Sequence, residues 1–454
     1  MRNNTKIVAT IGPASATKEV LKSMIKAGVN VCRLNFSHAD HDTHLKTIQT
    51  IKEINRELHV HVAILADLQG PKIRVGKVEE GTILENGSEL FITDKPCISN
   101  NKTLYISYHQ FASDVEVGEL IKIDDGKIHL EIISTNKQDV VKAKVLHGGP
   151  LSSNKGVNLP NTKISQPCLT KKDLVDLEFV LTQPIEWIGL SFVRSASDII
   201  ELKEHIKKAN HHARVIAKIE KPQAIENLDA ILDATDAVMV ARGDLGVEIP
   251  MQTVPVLQKK ITHACLEKAK PVIIATQMLE SMVENITPTR AEVNDVANSV
   301  MDGADAVMLS GETSVGSFPL HAVEAMHKIV ADVEKEFRGT RAYQLKEKHG
   351  QRHISDAICY NSCKLAEQVG AEAIITMTHS GYNAIEISSY RPPCKVFAFT
   401  NNHAILNTLS LVWGVTGFYY DNESSTDDTI QDTKHILKEQ NFLKKNQLVI
   451  NVAS

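Results

Sequence analysis

Eight short apolar runs recur within the first 312 residues: KIVATI, GVNVCRL, VAILAD, WIGLSFV, RVIAKIE, AVMVARGD, PVIIATQ and AVMLSGE. They are apolar at nearly every position rather than alternating, which predicts strands buried on both faces of a parallel sheet. Segments of helical period separate them. In THLKTIQTIKEINREL, for example, Leu45, Ile48, Ile51 and Leu58 fall on one face. Eight such strand-helix units in one chain predict a closed (β/α)8 barrel.

The pattern is interrupted between the third and fourth strands. There, residues 75 to about 168 show strand signals and turns at Glu80-Gly81, Asn86-Gly87 and Asp125-Gly126 in place of helices. This is an all-β insertion, of β-barrel type, leaving through Gly70-Pro71 and returning near GVNLP, so that it moves as a lid on short hinges. After about residue 338, helices alternate with EAIITMT, KVFAFT, VTGFYY and QLVINVA, an open α/β domain with a mostly parallel sheet. The expected division is therefore 1–70 and 169–337 for the barrel, 71–168 for the lid and 338–454 for the C-terminal domain. A chain of 454 residues fits several domains.

In a parallel barrel the chemistry gathers where strands end. The second run delivers Arg33, Asn35, Ser37 and His38, the third Asp67 and then Arg74, and the fifth Lys218 and Glu220. The sixth delivers Arg242 and Asp244, the seventh Thr276 and Gln277, and the eighth Ser310 and Glu312. Each has a plain alternative: Glu220 as a helix start, Asp244 as a turn residue, the arginines as rim salt bridges, Thr276 and Ser310 as caps. Gathered at one mouth they read differently, because unpaired charge there is costly unless a ligand or metal completes it. Two carboxylates without His or Cys suit a hard divalent ion such as Mg2+. A neighbouring lysine adds charge for phosphate, and two arginines suit a second polyanion. Together these parts describe phosphoryl transfer, with neither a Walker A loop nor a kinase Gly-rich loop.

Composition narrows the setting. A hydrophobic fraction of 43%, charged fraction of 23% and net charge of -5 are those of a soluble globular protein with no global attraction to nucleic acid or membrane. Seven cysteines without paired spacing argue against a disulfide framework or zinc module and fit a reducing cytoplasm. No secretory h-region precedes the first strand and no apolar run reaches membrane length.

The motifs KIVATIGPAS, CRLNFSH, DLQGPKIR, GVNLP, KIEKPQAIENLDAIL, VARGDLGVEIP, ATQMLESM and TRAEVNDVANSVMDGADAVMLSGET, in that order, resemble the pyruvate kinase family over almost the whole chain. The resemblance implies a phosphotransferase that moves the phosphoryl group of phosphoenolpyruvate to ADP, and a homotetramer. It implies that Glu220 and Asp244 hold Mg2+, or Mn2+ in its place, and that Lys218 and Arg33 face the phosphoryl group. Gly243, Asp244 and Thr276 would serve the substrate, Asn35, His38, Arg74 and Lys155 the nucleotide, and Ser310 the proton network. Asn35, Ser37, Asp67 and the Leu68 backbone correspond to the family's monovalent-cation site.

Lys72 stands where members that need K+ carry Glu, so the expectation is that a tethered ammonium compensates Asp67 and that K+ is not required. In the effector loop TMTHSGYNA, Tyr382 and Asn383 replace positions that are often basic and Ser, and the sequence ends at Ser454, ahead of the family's last effector-pocket segments. Little activation by fructose 1,6-bisphosphate is expected. An enolate-forming lyase and a non-catalytic metabolite-binding relative remain as alternatives. The first leaves the lid, Arg74 and Lys155 without a task, and the second is opposed by intact Lys218, Glu220 and Asp244.

Overall fold

The computed structural model describes residues 3–336, 352–422 and 425–452. Its barrel strands are Lys6–Thr10, Val29–Asn35, Ala63–Asp67, Trp187–Leu190, Arg214–Ile219, Ala237–Ala241, Val272–Ala275 and Ala306–Leu309. These lie in the eight predicted runs. They form a closed ring in chain order, and the first strand pairs in parallel with both the second and the eighth. Their continuous apolarity has its cause in burial on both sides. One set, including Ile64, Val215 and Ile274, packs under the helices, while Val8, Leu65, Trp187, Met239 and Met308 fill the interior. Leu411, from the C-terminal domain, belongs to that interior cluster and closes the end of the barrel opposite the mouth.

The helix His41–Leu58 differs in detail from its expected face. His44, Thr47, Ile48, Ile51 and Ile54 are buried, while Leu45 and Leu58 are half-buried. The face is rotated because the His44 ring stacks on Phe36 with centroids 4.2 Å apart.

The insertion between the third and fourth strands is a six-stranded curled sheet, with Val157–Asn158 at one edge and Thr103–Tyr105 at the other, plus a two-stranded ribbon. These two edge strands do not pair with each other directly, but the entering segment runs between them, bridging Gly156 through Arg74 and Ile106 through Val75. The insert also carries one helical turn, Phe111–Asp114, within the otherwise β segment. It has its own core around Ile92, Leu104, Phe111 and Leu130. The C-terminal sheet is four-stranded and all parallel, in the order Val415–Tyr419, Lys395–Thr400, Ala373–Met377, Val449–Val452. The expected boundary at 337 and 338 lies outside the described residues. No helix among those described is long and apolar enough to cross a membrane.

Buried polar contacts tie the C-terminal domain to the barrel floor. Arg391 pairs with Asp305 at 2.8 Å, and Asn407 donates to Glu186 Oε1 at 2.9 Å. Burial raises the Glu186 carboxyl from 4.5 to about 7. A raised folded-state value favours the protonated form, so its stabilising contribution is complete below pH 4.5 and is lost as pH rises through about 7. Glu186→Gln, which keeps the shape without the titration, is expected to flatten the decline of melting temperature between pH 5 and 8. Identical pH profiles by calorimetry would contradict this.

Candidate active site

The mouth is built around Asp67, which closes the third strand and is 1% exposed. A buried carboxylate needs partners. Arg33, from the second strand, places Nε and Nη2 each 2.7 Å from Asp67 Oδ2, and Lys218, from the fifth, lies 3.2 Å from Oδ1. Register explains the meeting, since Asn35 and Gly189 sit beside Asp67 on the flanking strands. Lys218 also lies 3.0 Å from Glu220 Oε1 and donates to Ser191 Oγ at 2.7 Å. Burial works against charge on Asp67, yet Lys218 and Arg33 hold its carboxyl below the usual value. Burial likewise opposes charge on Lys218, but Asp67 and Glu220 hold its ammonium above the ordinary lysine value. Glu220 goes the other way: burial, opposed by Lys218 and reinforced by the Asp244 charge, raises its carboxyl.

Lys72 is not the cation of Asp67. Gly70, at φ 67°, turns the chain out of the barrel, and its N–H donates to buried Asp173 at 3.0 Å. A side chain there would strike Ser191 and Phe192 at 2.9 Å. The turn carries Lys72 across the mouth, where its ammonium lies 3.5 Å from Asp244 Oδ1.

On the far sector, Thr276 has φ 70°. Positive φ in a β-branched residue costs roughly 1–3 kcal/mol and persists only where the surroundings impose it. Here Arg242 Nη2 donates to Thr276 O at 2.7 Å, and Gly243 N donates to Thr276 Oγ1 at 2.7 Å. The hydroxyl itself donates to Ala275 O at 2.6 Å. Ser310 Oγ is buried without a hydrogen-bond partner among the described residues, and its N–H donates to Glu312 at 2.6 Å.

The loop after the second strand is held by Asn35, whose Oδ1 accepts from Ser37 N at 3.1 Å. His38 follows. Burial, then the charges of Arg74, Arg33 and Lys72, lower its imidazole below the usual histidine value. Arg74 donates to Asn154 O at 3.0 Å, whereas Lys155 is held within the insert by Asp124 at 2.9 Å. Arg33, Asp67, Lys218 and Glu220 are thus in direct contact, and Lys72 links to Asp244. Lys155 is bound elsewhere.

Sequence reasoning missed Thr10 and Ser191, the ends of the first and fourth strands. Thr10 Oγ1 accepts from Arg33 Nη1 at 2.9 Å, and Ser191 Oγ donates to Leu68 O at 2.8 Å. Both follow from the strand-end rule applied to the remaining two strands. It also missed the seat of the insert on the barrel. Asn158 donates to Glu248 Oε1 at 2.7 Å, buried Lys221 pairs with the same oxygen at 2.7 Å, and Lys122 donates to Val247 O at 2.6 Å.

A parallel barrel with a buried lysine, an arginine and converging carboxylates at its mouth, beneath a seated β insert, has the parts of a phosphotransferase. Comparison narrows the class. Residues 2–323 match the family model for the pyruvate kinase barrel domain and residues 356–454 that for the pyruvate kinase alpha/beta domain. Pyruvate kinase 2 of Synechocystis is 44% identical, covering 99% of this chain and 76% of that protein. The pyruvate kinase of Mycobacterium tuberculosis is 41% identical, covering 100% and 95%. A solved pyruvate kinase from Cryptosporidium parvum superposes with a TM-score of 0.93 at 34% identity, covering 99% of this chain and 94% of that one. The chain belongs to the pyruvate kinase family. It transfers the phosphoryl group of phosphoenolpyruvate to ADP, giving ATP and pyruvate, in a family that works with a divalent metal ion.

Proposed function

We propose that Lys218 is the electrostatic centre of this transfer, flanked by Arg33. The observation that carries this is its burial, charged, among Asp67, Glu220 and Ser191. Lys218 and Arg33 neutralise the phosphoryl oxygens as a terminal oxygen of ADP bonds to phosphorus and the bond to the enol oxygen breaks. The Gly243 N–H and the Thr276 hydroxyl take the substrate carboxylate. Asn35, His38, Arg74 and Lys155 take the nucleotide, which requires Lys155 to leave Asp124. The resulting enolate accepts a proton at its methylene carbon, and Thr276 and Ser310 hold the hydroxyls that order its delivery.

Glu220 and Asp244 would hold Mg2+, or Mn2+ in its place. The residues fit such an ion: the Asp244 charge acts on the buried Glu220 carboxyl and helps raise it, and two carboxylates leave coordination positions for water and substrate oxygens. The ion would supply a Lewis acid beside the oxygens on which charge develops. In the same reading the protein is a cytoplasmic homotetramer with lid boundaries at 71 and 168. Pyruvate formation from phosphoenolpyruvate with and without ADP tests the function. ADP-independent release would instead favour the lyase.

For K+, the proposal is that Lys72 supplies a fixed positive charge at the mouth through Asp244 while Arg33 and Lys218 already compensate Asp67. Turnover should change less than about threefold when a bulky organic cation replaces K+ at constant ionic strength. Lys72→Glu should create a K+ requirement. A wild type silent without K+ would refute this.

The effector loop is engaged inward, with the Tyr382 hydroxyl donating to Asp356 and its ring under Arg352. Fructose 1,6-bisphosphate is therefore expected to leave the phosphoenolpyruvate saturation curve nearly in place, and a large leftward shift would contradict this.

A further inference from the structure

The insert leaves the barrel after Gly70 and returns ahead of the helix Lys171–Val180, and both crossings meet at one side chain. Asp173, in the first turn of that helix, is fully buried. Its Oδ2 accepts from Thr170 N at 2.9 Å and from the Thr170 hydroxyl at 2.5 Å, and Thr170 Oγ1 accepts in turn from Asp173 N at 3.1 Å, which closes a capping box. The cap needs only that one carboxylate oxygen. The other, Oδ1, accepts from Gly70 N at 3.0 Å, 103 residues earlier in the chain. One buried carboxylate therefore holds the outgoing and the returning segment together.

The two segments also rest on the same floor. Gly70 lies so close to Ser191 and Phe192 that a Cβ on it would come within 2.9 Å of both, and the thiol of buried Cys168 donates to Ser191 O at 3.0 Å. These floor residues serve the mouth directly. Ser191 Oγ accepts from Lys218 Nζ at 2.7 Å, and Phe192, at φ 57°, donates its N–H to Glu220 Oε2 at 2.8 Å. Positive φ in so bulky a residue has to be imposed by its surroundings, and the Gly70 backbone is packed against that ring.

We propose that Asp173 is the fixed anchor of both lid hinges and a positioning residue for the reaction: it sets where Lys72 and Arg74 enter the mouth and how firmly Gly70 seats Ser191 and Phe192. An ionised carboxylate can accept on both oxygens at once, and its bonds to backbone N–H groups are charge-assisted. Asparagine cannot replace it, because an amide has one oxygen and its NH2 group would face a backbone N–H. The anchor puts the bend of a moving lid beyond Gly70, at Pro71 and Lys72, so that closure displaces the lid without disturbing Lys218 and Glu220. The kinetic part of this inference rests on the reading that Arg74 contacts the nucleotide, whereas the anchoring itself does not.

The test uses the full chain, hydrogen–deuterium exchange and steady-state kinetics. In the wild type, peptides covering residues 69–72 and 168–172 should both exchange slowly, and adding Mg2+ and ADP should leave them unchanged. Asp173→Asn should speed exchange in at least one of the two by about tenfold or more, since one hinge amide loses its acceptor. The same variant should lower kcat at least about tenfold and raise the KM for ADP, with the KM for phosphoenolpyruvate within about threefold, as expected when reacting groups are slightly misplaced. Thr170→Val removes the cap hydroxyl but leaves both N–H bonds to Asp173. It should lower the melting temperature while kcat stays within about threefold of wild type. Rapid exchange at either hinge in the wild type would overturn the anchor, and this measurement decides even where Asp173→Asn fails to fold. Faster hinge exchange in Asp173→Asn with unchanged kinetic constants would remove the positioning role. An equal fall of kcat in Thr170→Val would assign the effect to the helix cap instead.

Discussion

Lys218→Met is expected to lower turnover at least about 10³-fold while the fold is retained, on the scale of removing one preorganised electrostatic contact to a transition state. Met preserves most of the length and bulk of lysine, so the barrel interior need not rearrange. Asp67 keeps its two contacts with Arg33, and Glu220 keeps the N–H of Phe192 at 2.8 Å. What disappears is the one ammonium held near three fixed oxygens at the mouth. Because that charge matters most as the phosphoryl group moves, kcat should fall far more than KM rises. A variant within tenfold of wild type would remove Lys218 from the centre of the site.

Glu220→Gln and Asp244→Asn should each reduce Mg2+-supported turnover by about 10³-fold or more, consistent with loss of several kcal/mol of metal-dependent charge stabilisation. The binding readout is independent of turnover. Mn2+ titrated against the wild type and followed by electron paramagnetic resonance should show a tight site that both variants weaken strongly. The two differ in their structural cost. Asp244 is partly exposed and its contact with Lys72 is a half-solvated pair, so Asp244→Asn should leave the melting temperature almost unchanged. Glu220 is 1% exposed and accepts a backbone N–H, so Glu220→Gln must keep that bond through its amide oxygen and is the riskier change. Full activity with normal Mn2+ binding in either variant would sink the metal assignment.

The site was legible to the extent that it follows the strand-end rule. Arg33, Asp67, Lys218, Glu220, Asp244 and Thr276 all stand between two residues before a strand end and three residues beyond it. The error over Lys72 came from nearness along the chain: it lies five residues after Asp67, but Gly70 turns it away and the carboxylate is met by residues from strands two and five. Lys155 shows the reverse case. The family resemblance makes it an expected phosphate contact, while the insert supplies Asp124 as a partner that no motif spacing reveals. The His44 face of the second helix was hidden for a similar reason. An aromatic stack can turn a polar residue inward, and hydropathy does not record the ring opposite.

By itself the sequence determined the eight barrel strands, the place of the insertion, the parallel C-terminal sheet and the set of residues that could meet at the mouth. These depend on local rules: burial on both faces makes a run apolar, and Gly-Pro and Asn-Gly turns break it. Only the tertiary structure decided which charge compensates which, that the insert sits on the barrel through Asn158 and Glu248, and that Leu411 closes the barrel floor. Each joins residues far apart in the chain. Pairing at a few ångströms is set by strand register and domain docking, and these emerge only when the whole chain has packed.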